Sequence, residues 1–344
     1  MTHVSCMMPH ADPPPKQKGT AMQHRAVIQW IGALAVGFLF LSGMPHARGD
    51  DVVRVAVGVD PVYTPWWIAQ EKGFYQKHGI KAEITQFSGG PALADATMAG
   101  ETDISSSGTA TWMPRIVRGS MVVLGTMATS TKAYGMAALS RIKSLYDLKG
   151  KKVGSVGGSS TDYLWYLVAK KLDAPESAFE LVSIQPPELI SSLDRGDVDA
   201  FFCWEPWPAR AVETSGKDKV HILASSGDIG YLLNFIVAAN KKFVEAKPDA
   251  TARVLAALHD AIEFQNSNPA ETVRVGAESN KLKPELSSFV LGLYKFSLGQ
   301  SPEMEAAART EEAWLRAKAR LKGEPIDWSK TIELQYLHRA MGTK

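Results

Sequence analysis

The sequence is poor in cysteine and carries none of the short motifs with which chains hold metals or nucleotides. Its two cysteines are Cys6 and Cys203. Cys6 lies upstream of an apolar run read below as a removable leader, so Cys203 would stand alone in the mature chain, which excludes an intrachain disulfide. Flanked by Phe202 and Trp204, with no base near it in sequence, Cys203 reads as a small apolar residue and not as a nucleophile. H-E-x-x-H and C-x-x-C are missing and the eight histidines are scattered, so neither a metal nor another cofactor is expected. The stretch KVGSVGGSSTDYLWYLVAKKL (152–172) is glycine-rich. It nevertheless matches neither G-x-x-x-x-G-K-[ST] nor a clean G-x-G-x-x-G, and no lysine follows the glycines to reach a phosphate. A G-x-S-x-G elbow is absent too. The 38 basic and 36 acidic residues nearly balance, which gives no support for a nucleic-acid partner. With 45% hydrophobic residues, the chain has enough apolar material to fold.

Long apolar runs are also scarce, with one exception. AVIQWIGALAVGFLFLSGM (26–44) follows Arg25 and precedes PHARGDD, with small residues at Ala47 and Gly49. A basic start, an apolar middle and small residues before a polar stretch describe a secretory signal peptide. Residues 1–49 are therefore expected to be a leader, with the true start at Met22. The run borders on membrane-spanning length but is interrupted by Gln29; an uncleaved anchor is the alternative.

Beyond the leader, short runs rich in β-branched residues alternate with helical patterns. VVRVAVGV is a strand and PWWIAQEKGFYQKHG a helix, with Pro65 suited to its first turn and Gly79 to its end. IKAEITQF, TDISSSG and MVVLGTMAT are further strands. A second set follows from YGMAALS (134–140) to VDAFFCWEP, and LLNFIVAAN (232–240) is one more apolar strand. After it the chain reads as helical almost to its end. Strands alternating with helices indicate α/β units with mostly parallel sheets. The unit repeats: AGETDISSSG resembles RGDVDAFFCW, each with a helix end, a glycine and an acid before a strand.

Three turns stand between a strand and a helix: SGGP (88–91), SSSGT (105–109) and GGSST (157–161). Such turns lie at the carboxyl ends of strands, where open α/β sheets bind ligands. Their short hydroxyls and free N–H groups suit an anion. Singly, each is better explained by ordinary capping; in register across two units they suggest one shared site. The candidates are Ser88, Gly89 and Gly90; Ser107 and Thr109; and Gly158, Ser159, Ser160 and Thr161. Tyr63, Thr64, Trp66, Trp112, Trp204 and Glu205 stand beside these turns and would form walls and a polar contact. Glu205 could instead accept from backbone or pair with Arg210. A rival reading makes it the general base of an enzyme acting on small organic acids or pyrimidines.

TPWWIAQEKGFYQKHGI, AGETDISSSGTA, LKGKKVGSVGGSSTDYLW and RGDVDAFFCWEPWPARA together resemble the nitrate/sulfonate/taurine-type periplasmic substrate-binding proteins of ABC importers, over about residues 52–265. GGPALAD and GSSTDYL look closest to the aliphatic-sulfonate branch; nitrate and thiamine-pyrimidine binders are the alternatives. The resemblance implies a two-lobed type II periplasmic-binding-protein fold, joined by two crossover strands and closing on an anion. Lobe 1 would comprise 50–136 and 234–344 and lobe 2 137–233, with a hinge near Ala137 and Phe235. It also implies a monomeric, non-enzymatic periplasmic protein whose partners are a small organic anion and the permease and ATPase subunits of an importer. A ligand-sensing domain of a signalling system is a third reading.

Overall fold

The computed structural model describes residues 50–342; the expected leader and the start at Met22 lie outside them. β1 (Asp51–Val57), α1 (Thr64–Glu71), α2 (Phe74–Lys77), β2 (Ile80–Gln86), α3 (Gly90–Ala99), β3 (Ile104–Gly108), α4 (Thr109–Ile116) and β4 (Met121–Ser130) come first. β5 (Tyr134–Leu139), β6 (Lys152–Ser155), α5 (Ser160–Lys171), β7 (Glu180–Ser183), α6 (Pro186–Arg195), β8 (Ala200–Trp204), α7 (Trp207–Ser215) and β9 (Val220–Ser225) follow. The chain then adds β10 (Leu233–Asn240), α8 (Lys241–Ala246), α9 (Pro248–Ser267), α10 (Pro269–Asn280), α11 (Pro284–Leu291), β11 (Lys295–Gly299) and α12 (Met304–Ala317). It closes with α13 (Trp328–Thr331) and α14 (Gln335–Met341).

The strands form two sheets, ordered β11-β4-β10-β3-β1-β2 and β7-β6-β8-β5-β9. In the first, β2, β1 and β3 are parallel, while β10 runs antiparallel between β3 and β4. In the second, β7, β6 and β8 are parallel and β5 runs antiparallel between β8 and β9. Each sheet is thus a parallel triplet extended by an inserted antiparallel strand, with helices packed around it. The repeated A/R-G-x-x-D segments occupy equivalent places. Gly100 ends α3 at φ 81° and Gly196 ends α6 at φ 79°, left-handed caps that glycine adopts without a Cβ penalty. Each leads into the third strand of its parallel triplet.

Burial follows the strand pattern. Val53, Val55 and Val57 of β1 are fully buried, and all five residues of β3 are buried although three are serine. Those hydroxyls have separate fates: Ser105 Oγ accepts from Thr97 Oγ1 (3.3 Å) and Ser106 Oγ from the Trp66 indole N–H (3.2 Å). Ser107 alone is left to face the cleft.

Two details depart from the sequence reading. β11 lies in the tail read as helical; it is a five-residue strand, alternately exposed and buried, too short to break the helical pattern around it. Ala137 and Phe235, the expected hinge, lie inside strands. Ala137 is paired to Phe201 and Ile222, and Phe235 to Gly108 and Ala128. A backbone held on both sides has no freedom to pivot. The chain passes between the sheets at residues 131–133 and 226–232, where Ser226 Oγ donates to Thr131 O at 2.8 Å.

Trp66 is fully buried and ties α1 to β3, so Trp66→Ala should lower stability by about 3–5 kcal/mol. Urea unfolding checks this: the midpoint falls while the denaturant slope stays unchanged.

Candidate functional site

The carboxyl ends of both parallel triplets point into one cleft. A cavity of about 30 Å³ lies there, room for about one water molecule. From the first lobe come Asp60 after β1, Gly90 at the start of α3, and Ser107 at the end of β3. From the second come Ser159, the N-cap of α5, and Trp204, the last residue of β8. Tyr63, Tyr134, Phe235 and Tyr294 complete an aromatic wall; Tyr63 and Phe235 meet edge to face at 5.3 Å. The lobes touch closely, since a Cβ on Gly89 would stand 3.4 Å from Trp204 and one on Gly108 2.8 Å from Ser160 Oγ. A solute of several heavy atoms therefore enters only when the lobes part. A larger groove of about 840 Å³, lined by Arg54, Asp103 and Lys241 among others, lies at the amino ends of β1 and β3, opposite to where sheets of this kind bind ligands.

Tyr63, Gly90, Ser107, Ser159 and Trp204 from the sequence candidates line the cavity, and Gly89 abuts Trp204. Others lie elsewhere for identifiable reasons. Trp66 is held by Ser106 inside the first lobe, and Trp112 is fully buried, so neither is a cleft wall. Thr64 is fully buried and faces Gly276. Ser88 and Gly158 are exposed. Within GGSST most hydroxyls serve the turn itself. Ser159 Oγ donates to Val156 O (2.7 Å), and Thr161 Oγ1 accepts from Val156 N (2.8 Å). Ser160 Oγ is buried without a well-directed partner, although the Tyr134 and Tyr231 hydroxyls stand beside it. Thr109 donates to Glu311 at 2.5 Å.

Glu205 takes the role of backbone acceptor. Its Oε2 accepts from Ala209 N at 3.1 Å, in the first turn of α7, while the Arg210 guanidinium lies over the Trp207 ring at 5.5 Å. Asp60, Tyr134, Phe235, Tyr294 and Glu311 escaped the sequence reading. Asp60 precedes Pro61 and caps the following turn by accepting from Val62 N (3.1 Å), so in sequence it looks like an ordinary cap. The aromatic residues are scattered along the chain and meet only through the strand order.

The electrostatics of the cleft are one-sided. Burial raises the carboxyls of Asp60, Glu205 and Glu311 each to about 7. Only neutral donors oppose the shift: the Val62 N–H, the Ala209 N–H, and the Thr109 and Tyr231 hydroxyls respectively. Among the described residues no lysine or arginine lines the cavity. Burial also holds Tyr63, Tyr134 and Tyr294 above the ordinary phenol range, so they act as neutral hydrogen-bond donors. The site can accept hydrogen bonds from a donor-bearing solute and surround it with rings, and its lining also includes short hydroxyls and a glycine turn.

Two α/β sheets whose carboxyl ends face across such a cleft define the periplasmic-binding-protein fold. The chain belongs to the NMT1/THI5-like family, whose model matches residues 60–272. It is 26% identical over 271 residues to the taurine-binding periplasmic protein of Escherichia coli (strain K12), covering 75% of this chain and 82% of that one. The crystal structure of the periplasmic aliphatic sulphonate binding protein of E. coli superposes with a TM-score of 0.71 at 18% identity, over 85% of this chain and all of that one. The alkanesulfonate-binding protein of Xanthomonas axonopodis pv. citri bound to MOPS gives a TM-score of 0.72 at 20% identity, over 83% of this chain and 99% of that one.

The three raised carboxyls set a direction for pH dependence. Unfolded, these groups ionise near 4; folded, they hold protons until about 7. The folded state therefore binds more protons across that window, and their contribution to stability is lost as pH rises through it. Thermal midpoints should be several degrees higher at pH 5.5 than at pH 7.5, and combining Asp60→Asn, Glu205→Gln and Glu311→Gln should flatten the difference.

Proposed function

We propose that this protein is the periplasmic solute-capture component of an ABC importer, taking a small organic sulfonate whose other end carries an amino or hydroxyl donor. It hands the solute to permease and ATPase subunits and performs no chemistry on it. The observation that carries the ligand class is the make-up of the cleft. Gly90 and Ser107 from one lobe and the Ser159 turn from the other line it, while Asp60 stands among aromatic walls with no cation beside it among the described residues. Turn glycines and hydroxyls suit an oxyanion. A buried acid with a pKa near neutrality gains from an ammonium or hydroxyl partner, and ring faces favour the same cation. A bare nitrate would leave both the acids and the rings without a partner. The sulfonate named for the taurine-binding relative and the MOPS bound in the Xanthomonas protein support the same class. The aromatic walls with their acids also favour an aminopyrimidine as the second reading.

Calorimetry with 2-aminoethanesulfonate, ethanesulfonate, nitrate and an aminopyrimidine distinguishes these. The aminosulfonate should bind at least ten-fold more tightly than ethanesulfonate. Near pH 7, where each acid is about half protonated, its ammonium should displace a fraction of a proton, seen as heats that differ between buffers of different ionisation enthalpy. Absence of binding by either sulfonate would remove the ligand class, and equal affinity of the two would remove the role given to the acids.

A further inference from the structure

The tail that follows β11 connects the two lobes a third time, besides the two chain crossings. Its anchor is on the first lobe. Thr109 of α4 donates to Glu311 of α12 at 2.5 Å, and Glu312 accepts from Ile326 N at 2.8 Å and from the Trp328 indole at 3.1 Å. Trp328 is fully buried, and the chain after it reaches β4, where Ile332 bridges to Val123. α12 is thereby fixed to the first sheet.

From that anchor three side chains cross to the second lobe. Trp314, itself buried, meets Tyr163 edge to face at 5.1 Å and tilts against Tyr166 at 5.9 Å, both on α5. Lys318 pairs with Glu176 at 2.8 Å and Arg320 with Asp162 at 3.0 Å, while the Arg320 guanidinium also lies 5.5 Å from the Trp314 ring centre. Ala319, between the two cations, has φ 52°, a left-handed conformation that residues with a Cβ adopt rarely. Such outliers persist where their surroundings over-determine them, and the ion pairs on either side do so here.

Asp162 leads on to the solute site. Its Oδ1 accepts from Ser155 Oγ at 2.6 Å, and its Oδ2 takes both Arg320 and, at 3.4 Å, the Gly158 N–H. Ser155 ends β6 and Gly158 belongs to the GGSST turn, whose Ser159 lines the cavity. Arg320 of one lobe thus reaches the site turn of the other through one carboxylate. All these contacts join protein groups alone, so they favour the closed arrangement whether or not a solute is present. A solute that binds the closed cleft gains from every increase in its population.

We propose that α12 is a clasp that sets the closed population of the cleft and the residence of a captured solute. Trp314 grips α5, and Arg320 is a positioning residue that steadies the GGSST turn through Asp162. The buried ring contacts carry the larger share; ion pairs this exposed are weaker and are screened by salt. The clasp rests on the solute-capture reading above and not on the ligand class named there.

Pulsed dipolar spectroscopy of the full chain reads the lobe separation, with spin labels at Lys81→Cys on β2 and Glu180→Cys on β7, both exposed. Cys6→Ser leaves only Cys203, which is buried, beside the labelled positions. Without solute, the protein should show a measurable closed population. Trp314→Ala should lower the ratio of closed to open forms about ten-fold. If that variant does not fold, the exposed pair of changes Lys318→Ser and Arg320→Ser should lower it about three-fold, an effect lost in strong salt. Arg320→Lys, made with Lys318 intact, should restore most of the ratio. In stopped-flow mixing with 2-aminoethanesulfonate, each variant should release the solute faster by the factor its ratio falls, with association little changed. A protein without a closed population, or ratios that do not fall in the variants, would overturn the proposal. If the ratios fall and 2-aminoethanesulfonate does not bind, only the ligand class is contradicted; if it binds and the ratios stay, only the clasp is wrong.

Discussion

Everything in this molecule depends on the two chain crossings lying side by side. Thr131 O receives both the Ser226 hydroxyl at 2.8 Å and the Gly227 N–H at 2.5 Å, and Ser226 N donates to Tyr134 O at 2.9 Å. A side chain at Gly227 would stand 2.9 Å from that same carbonyl, so the close approach requires glycine. Each bond contributes about 1 kcal/mol, little against the whole fold. Their consequence is positional: they hold the crossings together as one pivot, with the carboxyl ends of β1, β3, β6 and β8 opposed. Hydroxyl turns from one lobe then meet a tryptophan and a capped helix from the other. Short crossings outside both sheets are what domain closure needs.

The cleft formed this way holds a buried acid and, among the described residues, no lysine or arginine in its lining. Asp60 lines it, Glu205 follows the lining residue Trp204, and Glu311 bonds Thr109; each is buried with neutral donors for company. An ionised carboxylate buried without a cation is costly, and the group responds by holding its proton. The cleft thus stores proton-dependent acceptors that a donor-bearing solute can engage. Glu205 is part of the scaffold of α7 through Ala209, Asp60 caps the turn that carries Tyr63, and Glu311 arrives from the tail. Loss of any one would disturb a local structure, and for that reason pH and ligand responses are more telling than stability alone.

Much of the architecture was legible in the sequence because its signals are local. β-branched runs such as VVRVAV, prolines in first turns and the paired A/R-G-x-x-D segments each report on a few neighbouring residues, and their repetition shows the repeated α/β unit. The cleft was legible at the strand ends and turns that line it, as Tyr63, Gly90, Ser107, Ser159 and Trp204 do. Thr161 was misleading because a hydroxyl that caps its own turn looks the same in sequence as one that meets a ligand. Trp66 and Trp112 misled similarly, since a buried ring and a pocket wall share the same apolar character. Asp60 was hidden behind a capping role. Tyr294 and Glu311 were hidden by distance, arriving from a tail whose periodicity speaks only of helices. Short β11 was lost for the same reason.

The central claim is that the two lobes close on a solute about the Thr131–Ser226 crossing. Small-angle scattering of the full chain, with and without saturating 2-aminoethanesulfonate, tests it most directly, with Gly108→Val as a wedge between the lobes. The account predicts that the radius of gyration contracts on saturation in the unaltered protein and does not in the wedged variant. An identical radius in both states, at ligand concentrations where calorimetry shows the site filled, would contradict it.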